Sequence, residues 1–268
     1  MAKPILTDEL WALIEPLLPA PKPRRTRYAG RKRLDDRKAL TGILFVLQSG
    51  IPWRLLPQEM GCGSGMSCWR RLRAWQEAGV WNRLHELLLA QLRAADRIDW
   101  SRVIVDSSSI RALGGGPKTG PNPTDRARPG SKHHLITEAQ GIPLAVILTG
   151  ANRNDVTQLL PLVEAIPPIR GRRGRPLSKP RLVQADRGYD HDKYRKPLHA
   201  AGIKTLIARR GEPHGSGLGK TRWVVERTIA WLHNFRRLRI RFERLPIIHE
   251  AFISIACCLI CWRTLRND

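Results

Sequence analysis

Two short strand-like runs in this sequence, the first of them β-branched, end in a carboxylate. Arg102-Val-Ile-Val-Asp106 is followed by three serines, and Leu182-Val-Gln-Ala-Asp186 by Arg187-Gly188-Tyr189. If the two runs are neighbouring strands of one sheet, both acids emerge at the same carboxyl edge, where open α/β sheets build their sites. A third acid, Glu226, lies near the start of a long helical pattern, in Arg222-Trp-Val-Val-Glu226. Three carboxylates gathered at one edge repel one another, and hard divalent cations such as Mg²⁺ or Mn²⁺ relieve that repulsion because they favour oxygen ligands. Two such ions about 4 Å apart activate a water or a 3′-hydroxyl and stabilise the leaving oxygen of a phosphodiester. Each acid alone also has a plain reading. An Asp at a strand end caps a turn, and a Glu in a first helical turn complements the helix dipole. Spacing leaves both readings open.

Charge bears on the choice. Lys and Arg total 47 against 23 Asp and Glu, a net charge of +24 with a pI near 11.2. Such a chain repels itself unless a polyanion neutralises it, and nucleic acid is the usual one, since each phosphate contact releases counterions. An anionic membrane is the rival, but Met1-Ala-Lys3-Pro4 opens neither a signal-peptide core nor a myristoylation pattern. The longest apolar stretch, 251–262, is too short to span a bilayer, so no membrane partner is expected. Nine Trp and 42% hydrophobic residues indicate a soluble chain with a sizeable core. The five Cys, an odd number, argue for a reducing cytoplasm rather than a disulfide framework. Cys258-x-x-Cys261 lacks a second Cys/His pair at metal spacing and reads as small hydrophobes in a buried helix.

The elements that must position the acids follow from periodicity. Thr7 caps a helix carrying Leu10, Leu13, Ile14 and Leu17, and a basic, Pro-rich run over 21–33 is either a linker or an arm lying on phosphates. Asp35 or Asp36 caps a second helix that ends at Gly50. Further helices cover 67–75, stopped by Gly79, and 81–95. In the first of these, Arg70, Arg71 and Arg73 project away from Leu72 and Trp75, which fits a DNA-recognition helix or a solvated basic face. Past residue 100 the pattern changes. A strand over 102–106, a Gly/Pro loop over 114–130 and a hairpin of 135–137 with 142–148 come first. A helix from Asp155, a basic Gly/Pro loop over 167–180 and the strand ending at Asp186 follow. Then come a helix near 193–201, a strand over 205–208, a Gly-rich loop over 211–219, a helix over about 221–238 and an apolar helix over about 247–265. The expected fold class is therefore α/β over 99–268, preceded by an all-α, helix-turn-helix-like domain over 1–98.

Several stretches resemble motifs of bacterial insertion-sequence transposases of the insertion-sequence-five group. They are Val105-Asp106-Ser-Ser-Ser-Ile-Arg-Ala112, Gly130-Ser-Lys132-His-His-Leu, Asp186-Arg-Gly-Tyr-Asp190 and Arg222-Trp-Val-Val-Glu226-Arg-Thr-Ile-Ala-Trp231-Leu. Upstream, Leu40-Thr-Gly-Ile-Leu-Phe-Val-Leu-Gln-Ser-Gly-Ile-Pro-Trp-Arg-Leu-Leu-Pro57 is similar to that group's N-terminal region. The resemblance implies an RNase H-like catalytic domain with a DDE triad: Asp106 on the first strand, Asp186 on the fourth and Glu226 on a following helix. It implies Mg²⁺, with Mn²⁺ as a substitute and two ions in the site. It further implies cleavage and strand transfer of double-stranded DNA at the terminal inverted repeats of an element, by a homodimer on that DNA, in the bacterial cytoplasm at the nucleoid. The alternative is a non-enzymatic DNA-binding protein descended from an inactive transposase.

One departure stands out. The wider group carries a Tyr-x2-Arg-x3-Glu-x6-Lys signature, and here Arg222 and Glu226 match while Gly219 and His233 replace the Tyr and the Lys. Arg222 is thus expected at a phosphate, with Arg236 and Arg237 as sources of the missing positive charge. Lys132 and Arg187 are further expected phosphate contacts, and Tyr189 stacks on a base or packs. His133 and His134 read as packed or surface residues, and Trp223 and Trp231 as core.

Overall fold

The computed structural model describes residues 4–21, 27, 32–211 and 219–266. Most of the basic run over 21–33 and of the Gly-rich loop over 211–219 lies outside them. The N-terminal part forms α1 (Asp8–Ile14), α2 (Asp36–Ser49), α3 (Gly65–Glu77) and α4 (Val80–Ala94). The starts of α1 and α2 follow the expected capping chemistry. Thr7 Oγ1 accepts from the Leu10 N–H at 3.3 Å, and the Asp35 carboxylate accepts from the Lys38 N–H at 2.9 Å. Gly50 ends α2 at φ +77°, a left-handed conformation that glycine adopts without cost.

The remainder comprises β1 (Val103–Ala112), β2 (Gly120–Pro121), β3 (Pro129–Glu138), β4 (Pro143–Gly150), α5 (Leu159–Glu164) and β5 (Leu182–Ala185). It continues with α6 (Asp192–Ala200), β6 (Lys204–Ile207), α7 (Gly219–Asn234), α8 (Arg236–Arg239), β7 (Ile240–Arg241) and α9 (Pro246–Arg266). The long strands lie in the order β4-β3-β1-β5-β6, with β2 pairing the start of β3 and β7 the end of β1. β4, β3 and β1 run antiparallel, whereas β1, β5 and β6 run parallel. This is an RNase H-like sheet.

Several elements depart from the pattern read in the sequence, and β3 already begins at Pro129 rather than at 135. β1 does not stop at Asp106 but runs on to Ala112, because Ser107 through Arg111 pair with His134 through Gly130 of β3. The expected long helix breaks at Phe235, whose backbone is extended (φ −76°, ψ 103°) and whose ring is buried. α8 then turns toward α2.

The all-α part and the sheet share one apolar core. Its common element is α9, which packs on α3, α4 and β4. α9 has 21 residues with an apolar window of mean hydropathy 1.5, long and apolar enough to cross a membrane, yet 67% of that window is enclosed by the rest of the chain. Its Phe252 stacks on Trp53 with centroids 5.6 Å apart, and Trp75 meets Trp81 edge-on at 6.0 Å. Such aromatic pairs add about 0.5–1.5 kcal/mol each beyond the area they bury. All five Cys are free and buried, in keeping with a role as small hydrophobes.

Candidate active site

The two aspartates are brought level by strand register. Val103 pairs with Val183 and Ile104 with Gln184 in the parallel β1–β5 ladder. Carried on two residues past the last paired position, that register brings Asp106 level with Asp186. β5 ends at Ala185, so Asp186 stands at its carboxyl end, while β1 continues past Asp106 along β3. The acid on β1 therefore sits mid-strand, at the point where its parallel neighbour stops.

The loop after Asp186 wraps back onto the carboxylate. Asp186 Oδ1 accepts from the Gly188 N–H at 2.9 Å, and a Cβ at Gly188 would lie 3.0 Å from that oxygen. Asp190 anchors the same loop, pairing with Arg195 and standing 3.5 Å from Arg209.

Glu226 is positioned by α7, which is tied down at three places. Gln184 of β5 donates to Thr221 Oγ1 at 2.8 Å, Thr228 Oγ1 donates to the Gly141 carbonyl at 2.7 Å, and Arg227 donates to the Gln140 carbonyl. The β3–β4 turn that receives the last two is held by Glu138. This buried carboxylate accepts from the Gln140, Ile142 and Asp99 N–H groups at 2.8–2.9 Å. Gly141 sits at φ +97°, and a Cβ there would lie 2.8 Å from Thr228 Oγ1. Only glycine permits this contact without displacement.

Arg222 joins the acids. Its Nη1 lies 2.9 Å from Asp106 Oδ2 and its Nη2 2.7 Å from Glu226 Oε1, so one guanidinium bridges a strand acid and a helix acid. Asp106 also accepts from the Ser107 N–H at 2.8 Å. Burial nevertheless pushes its carboxyl up to about 6, with Asp186 and Glu226 adding to the rise and Ser107 N–H and Arg222 opposing it. Among the described residues no three ligand-type side chains are gathered closely enough to hold a metal. The Glu226 carboxylate is half exposed and turned to Arg222. The donor set still suits a hard divalent cation: all its atoms are carboxylate oxygens, and a cationic guanidinium already bridges two of the acids.

The expected DNA-contacting residues divide. Arg70 and Arg73 of α3 are exposed, Arg73 pairing with Glu77 one turn on at 2.8 Å. Arg71 instead turns toward α2, 3.3 Å from Asp36 and over the Trp75 ring. Arg187 is half-buried beside Asp186, and Arg236 is exposed next to Gly50. Arg71 is thus corrected as an outward charge, and further expectations need correction. Lys132 is buried and bonded to Asp155 at 2.8 Å and to the Arg153 carbonyl, so its ammonium is committed inside the protein. Arg237 is buried, paired with Glu243 at 2.6 Å and donating to the Gly50 and Ile51 carbonyls, which makes it a brace between α8 and the end of α2. Tyr189 is buried beneath the two aspartates, where no base can stack on it. Trp223, expected in the core, is exposed, and the Arg227 guanidinium lies between its ring and that of Trp231 at 4.8 and 4.6 Å. His133 and His134 are packed as expected, bonded to His249 and Thr149, and the His233 ring faces His133.

An RNase H-like sheet with acids on its first and fourth long strands, facing a third acid on a helix, defines the DDE class of nucleic-acid cutting and joining enzymes. Comparison with known proteins agrees. A family model described as "Transposase DDE domain" matches residues 100–261, and one described as "Putative transposase of IS4/5 family" matches residues 6–85. The chain belongs to the DDE transposase family, and membership implies use of a divalent metal. It is 68% identical over 166 residues to the "Putative transposase for insertion sequence element IS402" of Burkholderia cepacia, covering 62% of this chain and 77% of that one. It is 32% identical over 140 residues to the transposase for insertion sequence element IS1106 of Neisseria meningitidis serogroup B, covering 48% of this chain and 45% of that one. A crystal structure of the Mos1 strand transfer complex aligns over 91% of this chain and 78% of that chain, at 13% identity and a TM-score of 0.37, too low to transfer detail.

Proposed function

We propose that this transposase cuts and joins DNA at the terminal inverted repeats of its element through Asp106, Asp186 and Glu226. The observation that carries the reading is the meeting of Asp106 and Glu226 on one guanidinium, with Asp186 level in strand register. The three carboxylates would hold Mg²⁺ or Mn²⁺, two ions in all. Bound there, the metal supplies Lewis-acid stabilisation of the attacking and leaving oxygens. Asp106 must be ionised to serve as a ligand, and with its pKa raised to about 6 it carries that charge near neutral pH and loses it in mildly acidic solution. Arg222 neutralises the acids before DNA arrives and, once released from them, can turn to a phosphate of the bound strand. The anchored α7 holds Glu226 at a set distance from the sheet, while Asp190 and Gly188 keep the Asp186 loop compact. Arg70 and Arg73 on α3, with Arg236, supply outward charge for the duplex. Joining two element ends requires two active sites, so the working unit on DNA is a homodimer with no membrane component, acting in the cytoplasm.

The test is metal-dependent nicking of a duplex carrying the element's end, alongside binding of the same duplex. Asp106→Asn, Asp186→Asn and Glu226→Gln should each abolish nicking and leave binding intact. Full Mg²⁺-dependent nicking by these variants overturns the assignment. Binding without any nicking by the wild-type chain would favour the non-enzymatic alternative.

A further inference from the structure

Between α5 and β5 the chain makes an excursion that the catalytic geometry does not use. Residues 170–181 contain six Lys or Arg and no acid. Ile169 and Leu177 close this stretch into a hairpin, each donating its N–H to the other's carbonyl at 2.7 and 3.0 Å. The hairpin is bolted onto α4. Arg93 donates to the Ile169 and Arg175 carbonyls, Arg172 Nε donates to the Arg93 carbonyl at 3.1 Å, and Arg172 pairs with Asp96 at 2.9 Å. Gly171, at φ +107°, lies so close that a Cβ would stand 2.0 Å from the Ala90 carbonyl oxygen. Trp100 Nε1 donates to the Lys179 carbonyl at 3.4 Å. A merely solvated charge run needs no such anchors. Here they fix the backbone in advance and lower the entropy cost of binding a partner.

With Arg172 committed to the anchor, Arg170, Arg173 and Arg175 point into solvent, and among the described residues none of them is ion-paired. Gly174 stands between the last two at φ +94°, with open space where a Cβ would be. The tip thus presents Arg173-Gly174-Arg175-Pro176: two guanidinium groups flank a residue without a side chain, and a proline stiffens the exit. A helix, about 10–12 Å across with its side chains, cannot enter a minor groove about 6 Å wide. A narrow turn with a bare glycine can. A·T-rich tracts narrow that groove further and deepen its negative potential, which draws in arginine.

We infer that the hairpin over 169–177 is a second DNA-contacting element, one that inserts Arg173 and Arg175 into the minor groove of A·T-rich duplex. It precedes β5 in the chain and is held against the end of α4, whereas Asp186 stands at the carboxyl end of β5. It therefore grips duplex away from the bond being cut and contributes to affinity and placement, not to chemistry. The inference rests on the reading of the chain as a DNA transposase only in taking duplex DNA as the ligand.

The experiment uses the full chain with a metal chelator present, so that nothing is cut, and measures anisotropy on three labelled duplexes. One is A·T-rich, one G·C-rich and one built of inosine·cytosine pairs. The last shows a G·C-like major groove but lacks the guanine amino group that distinguishes G·C in the minor groove. Wild type should bind the A·T and inosine duplexes about tenfold or more tighter than the G·C duplex, within the range one misread base-pair contact costs. Arg173→Ala/Arg175→Ala should erase that difference while keeping wild-type far-UV circular dichroism, since both side chains are exposed. Three results overturn the inference: equal binding of all three duplexes by wild type, a preference that survives in the double variant, or an equal loss on all three, which would mean phosphate contacts alone. Nicking of the element's end by wild type, measured in parallel, separates these outcomes from a failure of the catalytic reading.

Discussion

Asp106→Asn should make the metal-free protein more stable while destroying its activity. The wild-type carboxylate is 17% exposed, and burial lifts its pKa from the ordinary 3.8 to about 6. The sign follows from linkage. A carboxyl with a raised folded-state pKa contributes stability that is fully present below its unfolded value and is lost as the pH rises through the folded value. Near neutral pH the buried charge then costs about 3 kcal/mol, at about 1.4 kcal/mol for each pH unit between the two values. An asparagine removes the charge but keeps an oxygen for the Ser107 N–H, and it weakens the bond from Arg222, which retains Glu226. The net gain should be about 1–3 kcal/mol, which raises the melting temperature of a chain this size by roughly 2–10 °C. Thermal melts with a chelator present, followed by circular dichroism, read it directly. Near pH 7 the variant should melt above wild type, near pH 4 the two should converge, and Mn²⁺ should stabilise wild type alone. A variant that folds normally yet melts at or below wild type near pH 7 would refute the claim that Asp106 stands strained in the unloaded site.

Two further predictions concern the frame around the acids. Gly141→Val should misplace α7, because its side chain must enter the space of Thr228 Oγ1 and Val224 from a left-handed backbone. Nicking should fall at least tenfold and stability by about 1–3 kcal/mol, readable from paired rate and melting measurements. Arg237→Met leaves Glu243 buried beside a neutral chain and should cost about 3–5 kcal/mol in denaturant unfolding, whereas a phosphate-contacting arginine would show its loss in DNA affinity at unchanged stability.

What could be read from the sequence was what depends on neighbours along the chain. Thr7, Asp35 and Gly50 punctuate helices through contacts within a few residues, and the strand ahead of Asp186 announces itself by its own side chains. The continuation of β1 through Ser107, Ser108 and Ser109 could not be read this way, since serine has little strand preference and the pairing comes from β3, more than twenty residues on. Lys132 and Arg237 read as outward charges in the sequence for the same reason. Their partners, Asp155 and Glu243, and the Gly50 carbonyl are set by the fold and leave no mark in local periodicity. Trp223 erred in the opposite direction: an aromatic at helical spacing looks apolar, but the Arg227 guanidinium lets it remain at the surface. The bridging of Asp106 and Glu226 by Arg222 spans 116 residues, and nothing in the spacing of the acids foretold it.

α9 belongs to the cores of both the all-α part and the sheet, and Arg237 locks the end of α2 onto α8. Under the proposed assignment, the part that reads DNA and the part that cuts it make a single stiff body. Such a body works as a ruler: the distance from the recognised sequence to the cut is fixed by the protein's own dimensions. An element end with base pairs inserted between the two would then be bound as well as before and cut at the wrong phosphate.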